Sequence, residues 1–166
     1  MARNQGDVNV TQSVLDRLID REPESSVETP VSRAQSVRLL KAAVRRDLDY
    51  LLNTRRIPDV PEETRQELNR SLFMYGLPDF STYSMASPAD QSKLLRQLAS
   101  TIKLFEPRLD NVRLVPLETP SVGMQRVRLR IEATLLMDPN PEPVSFDTVI
   151  ELRSGNCQVA GDSNAG

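Results

Sequence analysis

Glu106 and Arg108 stand two residues apart in the stretch FEPRL, residues 105–109, with Pro107 between them. A carboxylate and a guanidinium on either side of a proline are opposite charges on a stiffened link. Held that way, they lose less entropy on docking than charges on a loose loop, and the guanidinium offers a planar fork of donors. The chemistry they suggest is recognition of a partner. The plainer reading is a helix stop with two solvated charges.

Catalysis has little else to draw on. The chain has no histidine, which removes the commonest general base and the commonest metal ligand. With Cys157 as its single cysteine, it cannot build a Cys/His zinc site or a Ser–His–Asp or Cys–His arrangement. The six glycines are scattered and form no phosphate-binding loop. Carboxylates remain. Asp47 and Asp49 are two apart in a helical pattern, which points them about 200° apart at ~3.6 residues per turn. They do not face a common substrate, as paired acids of glycoside hydrolysis must. Glu106 meets Asp47 only through a tertiary contact, and Arg108 is an alternative internal partner for Asp47. The expectation is no enzyme and no cofactor or metal.

Composition narrows the class further. The chain has 166 residues, 39% hydrophobic and 27% charged, which suits one globular domain. Aromatics make up 4% with no tryptophan, so stacking on bases or sugars is not a theme. The net charge of −2, from 21 basic and 23 acidic residues, lacks the basic surplus that phosphate neutralisation leaves, and no nucleic acid is expected. A lone cysteine fits a reducing compartment. No apolar run approaches the ~20 residues that span a bilayer, and MARNQGDVNV has no secretory h-region. The expectation is a soluble cytoplasmic protein without membrane insertion.

The elements that must position the corner follow from periodicity. VTQSVLDRLID, residues 10–20, predicts a short helix capped by Thr11, with Val10 and Leu15 as a hydrophobic staple. REPESSVETP, 21–30, reads as a flexible linker, so 1–31 are expected to be a short helix on a tether. SRAQ, 32–35, fits a capping box, and Val37, Leu40, Val44, Leu48 and Leu51 form one helical stripe. Pro61 predicts another helix start, with Leu68 and Leu72 as a sparse core face, ended by Gly76 and Pro78. Ser87, Pro88 and Asp90 open a third long helix with Leu94, Leu95, Leu98, Ile102 and Phe105 as its stripe. Pro107 stops it at Glu106.

The period then becomes two. LDNVRLVPLE (109–118), RVRLRIEATL (126–135) and VSFDTVIEL (144–152) predict three strands, with Pro116 confining the first to an edge or bulge. Arg126, Arg128 and Arg130 lie on the outward face, read as solvated. The expected fold is α+β: N-terminal helices packed on a small antiparallel sheet, a three-strand meander. The single domain would span 32–155, with 156–166 a disordered tail.

DLDYLLNTRR (47–56), SLFMYGLPDFS (71–81) and the FEPRL corner, in this order ahead of a strand meander, resemble the TssE family of type VI secretion baseplate subunits. That family is similar to the wedge protein of contractile phage tails that goes under the name "lysozyme-like". SVLDRL, 13–18, resembles the family's start, and the likeness covers ~10–155. It implies an α+β domain without lysozyme activity, placed in the baseplate wedge beside TssF, TssG and TssK. It puts the family's signature on Glu106, Pro107 and Arg108, as a contact to the wedge's core helical bundle. It also implies a sheet edge that templates the first ring of the sheath subunits TssB and TssC, and a cytoplasmic protein recruited to a baseplate anchored at the inner membrane. Asp49 departs mildly, standing where the family would have glutamate. The alternative is a peptidoglycan-cleaving hydrolase, as the old label suggests.

Overall fold

Ser32 opens the longest helix, and it does so through the expected reciprocal cap: its hydroxyl accepts from the Gln35 amide while the Gln35 side chain accepts from the Ser32 amide. A computed structural model describes residues 10, 12–19, 32–118 and 126–162. In chain order its helices are α1 (Val14–Leu18), α2 (Arg33–Asn53), α3 (Gln66–Asn69) and α4 (Pro88–Phe105), with a 3₁₀ turn at Leu72–Met74. Its strands are β1 (Leu109–Pro116), β2 (Arg126–Leu135), β3 (Glu142–Glu151) and β4 (Cys157–Asp162). The fold is α+β, with helices followed by an antiparallel sheet of order β1-β2-β3-β4.

The core is where the two periodicities meet. α2 contributes Leu40, Val44, Leu48 and Leu51, and α4 contributes Leu94, Leu98 and Ile102. Strict alternation along β2 turns Val127, Leu129, Ile131, Ala133 and Leu135 inward, onto the same core as Val144, Phe146 and Ile150 of β3. The outward arginines of β2 are paired: Arg126 with Glu151, Arg128 with Glu118, Arg130 with Asp147. The Arg130 pair holds the Asp147 carboxyl below its usual range, through the hydrogen bond first and charge second.

Three expectations change. The sheet has four strands, not three. Residues 157–162 add β4, with Cys157 opposite Ile150 and Val159 opposite Thr148, and only 163–166 of the expected tail lie outside the described residues. The helix expected from Pro61 shrinks to the single turn of α3, and Leu72 is 80% exposed. Two apolar residues give too little buried surface to stabilise a helix whose first residue has no side-chain cap. Near the N-terminus, the cap is Ser13, not Thr11, which lies outside the described residues. Val10 enters the core while Leu15 is exposed, so they form no staple. The linker at 21–30 also lies outside the described residues.

The turn before α4 rests on Gly76. Its φ is +98°, and a Cβ there would stand 2.4 Å from the Thr54 carbonyl oxygen, which accepts from the Leu77 amide. Only glycine fits.

Candidate docking site

α4 ends where the sequence puts its stop. The Glu106 amide donates to Ile102 O at 2.8 Å, the Leu109 amide closes a turn onto Glu106 O, and the Arg108 carbonyl accepts from the Leu136 amide at 2.8 Å. Phe105 is therefore the last helical residue and Glu106 its C-cap, with φ −123° and ψ 76°, and the Arg108 carbonyl already takes part in the sheet's hydrogen bonding. Pro107 leaves no amide to satisfy between them. The corner is fixed from both sides.

Within it the two charges face each other. Arg108 Nε donates to Glu106 Oε1 at 2.6 Å, and Nη2 donates to Oε2 at 2.5 Å, a two-pronged clamp. Glu106 is buried, with 4% of its side chain exposed, whereas Arg108 keeps 25%. A buried carboxylate costs several kcal/mol of lost hydration unless its lone pairs are met, and the clamp meets them. Arg108 Nη2 also reaches Asp47 Oδ2 on α2 at 2.6 Å. These bonds raise the pKa of the guanidinium, Glu106 first, and it stays charged at any working pH.

The chain of charges continues. Asp47 Oδ1 accepts from Arg46 Nη2 at 2.7 Å, Arg46 Nη1 donates to Asp16 Oδ1 at 2.7 Å, and Ser13 Oγ donates to Asp16 Oδ2 at 2.5 Å. Six side chains thus run from the α4–β1 corner across α2 to α1. Asp16 is buried, and burial alone would raise its pKa. The hydrogen bonds from Ser13 and Arg46, with the charges of Arg46 and Arg108, outweigh that and hold it low. Tyr75 closes the site on one side, its ring edge-on to Phe105 at 5.2 Å between centroids. Burial, then the nearby charges of Asp47 and Glu106, raises its phenol pKa.

Sequence reasoning singled out Glu106, Pro107, Arg108 and Asp47, and the structure brings all four together. Asp49 belongs elsewhere, near Cys157, whose thiol is pushed up to about 12 by burial and then by that carboxylate. Arg46 and Asp16 were missed. Arg46 had a signal, since it sits beside Asp47 at the margin of the apolar stripe. Asp16 had none, lying in a segment whose leucines dominate the pattern. Among the described residues, no group of three or more His, Cys, Asp or Glu side chains could hold a metal ion. No described helix is long and apolar enough to cross a membrane.

The same stretch of chain carries a family likeness. A profile of the family described as baseplate wedge protein gp25 matches residues 38–140, well over half the chain. The chain belongs to this baseplate wedge family. The match takes in most of α2 with Arg46 and Asp47, all of α4, the Glu106–Arg108 corner, β1 and β2. α1, β3 and β4 fall outside it. No curated protein and no solved structure matches the chain. A wedge family is a structural one, which agrees with the geometry: both carboxylates nearest the corner bond to one guanidinium.

Proposed function

We propose that this chain is a structural wedge subunit of a bacterial type VI secretion baseplate. It sits in the cytoplasm beside TssF, TssG and TssK, is recruited to the inner-membrane-anchored baseplate, and has no hydrolytic activity. Its docking element is the corner of Glu106, Pro107 and Arg108, which binds the core helical bundle of the wedge. The observation that carries this is the state of Arg108. Glu106 and Asp47 lock its plane, yet a quarter of the side chain remains exposed and Nη1 has no hydrogen bond among the described residues. A fork already aimed loses little entropy when a partner carboxylate takes the remaining donor.

The sheet supplies the second surface, for the first ring of TssB and TssC. The Glu151 amide bonds Asn156 O, so alternation turns the backbone of Cys157 and Val159 away from β3, towards the open side. That side is taken. Asn53 bonds both the amide and the carbonyl of Cys157, and Arg45 Nε donates to Val159 O at 2.9 Å. β1 is the other edge, exposed at Arg113, Val115 and Pro116, and we assign strand addition to it.

Affinity purification of the tagged full-length protein from its host tests the reading. TssF, TssG and TssK should be recovered in stoichiometric amounts. Recovery of none of them, or cleavage of peptidoglycan by the purified chain, would overturn it.

A further inference from the structure

α1 is turned inside out. A surface helix ordinarily buries its apolar stripe and offers its polar side to water. Here the buried residue of α1 is Asp16, while Val14 and Leu18 are 73% and 76% exposed and Leu15 is also open. Polar contacts hold the helix in that pose. Asp16 is bound by Arg46 and Ser13, and just upstream the Val10 amide donates to Ser36 Oγ on α2. Isolated helices shorter than about 12 residues are marginal in water, so five residues keep this geometry only because they are pinned.

The pin leads to the docking corner. Asp16 shares Arg46 with Asp47, and Asp47 shares Arg108 with Glu106, so three contacts separate α1 from the corner. Arg108 is close enough for its charge to act on Asp16. α1 itself carries Arg17, exposed and without an ion pair among the described residues, and the ion-pair chain links it to Arg108, whose Nη1 has no hydrogen bond among the described residues. Exposed apolar side chains on an element that carries one cation and is tied to another are complementary to one kind of surface: an amphipathic helix whose apolar stripe is bordered by carboxylates.

We propose that α1 and the Glu106–Arg108 corner form one composite docking surface for such a helix of the wedge core, with Asp16 as the positioning residue that holds Leu15 and Leu18 outward and ties α1 through Arg46 and Asp47 to Arg108. This rests on the docking reading of the corner and extends it to a segment that lies outside the family match.

The test uses the full chain and the wedge core isolated from host cells that lack this subunit. Binding is measured for Leu15→Ser with Leu18→Ser, for Asp16→Ala, for the two combined, and for Arg108→Ala. The leucine pair should weaken binding by about tenfold or more with an unchanged melting temperature, since neither side chain is in the core. Asp16→Ala should weaken it by a similar factor and speed hydrogen exchange at the Arg17 and Ile19 amides. The combined variant should be no weaker than Asp16→Ala alone, because α1 is already released. Loss with Arg108→Ala but full affinity for the leucine pair overturns the composite surface and leaves the corner standing. Full affinity with Arg108→Ala overturns both. Unchanged affinity for Asp16→Ala overturns its positioning role.

Discussion

Arg108 Nη2 donates to Asp47 Oδ2 at 2.6 Å, joining residues 61 positions apart on α2 and in the turn just before β1. The same guanidinium clamps Glu106, so one side chain ties the end of α4, the start of the sheet and the middle of α2. Arg108 therefore holds the fold together as well as facing outward.

Replacing Arg108 with alanine leaves Glu106 buried without its clamp. The expected cost is about 2 kcal/mol of stability, less than for a fully buried pair because Arg108 is partly solvated. Arg108→Lys should recover part of it, since an ammonium keeps the charge but not the planar fork. Urea unfolding of both variants checks this. A cost under about 0.5 kcal/mol for Arg108→Ala would mean two surface charges and no clamp.

Asp16 gives α1 a pH dependence of known sign. Its folded pKa lies below the ordinary value of 3.8. The stability it contributes is then full above that value and fades as pH falls through the lowered folded value. The melting-temperature gap between wild type and Asp16→Asn should be constant from pH 5 to pH 8 and close only in stronger acid. A gap that closes near pH 6 would rule out this assignment.

How much of this was legible in the sequence depends on the range of the forces. The α2 capping box, the alternation of β2 and the stop at Glu106 come from neighbours within a few residues, and a linear pattern carries them. β4 does not show in CQVAGD, because it buries only Cys157 and Val159 and is fixed by Asn53 and Arg45 from more than a hundred residues away. α1 is legible only in part, for a related reason. Its leucines mark a short helix but not which side is buried, and an ion pair spanning 30 positions puts Asp16 inside. FEPRL puts Glu106 and Arg108 at a helix stop within a few residues of each other, but that Arg108 reaches Asp47 is a tertiary fact.

Asn53→Ala removes both side-chain bonds to the Cys157 backbone. The expected cost is about 1–2 kcal/mol, near the net value of two hydrogen bonds. Native-state hydrogen exchange should quicken first at Cys157 and leave the β2–β3 ladder protected. Uniform loss of protection across the sheet would show that β4 does not open separately.

Thr148 Oγ1 is buried between Leu129 and Val159 and has no hydrogen-bond partner among the described residues. Thr148→Val keeps the shape and removes the unsatisfied hydroxyl. It should stabilise the protein by about 1 kcal/mol. Calorimetry decides, and destabilisation would point to a bound water meeting that hydroxyl.

The most direct test of the corner is the affinity of the folded chain for the isolated wedge core, wild type against Arg108→Ala. It is measured at 25 °C, with circular dichroism showing both proteins folded. Interface arginines of this kind contribute ~2 kcal/mol or more, so the dissociation constant should rise at least tenfold, with Arg108→Lys between the two. Equal affinity for wild type and Arg108→Ala, both folded, would contradict the account and return FEPRL to a structural clamp at the end of a helix.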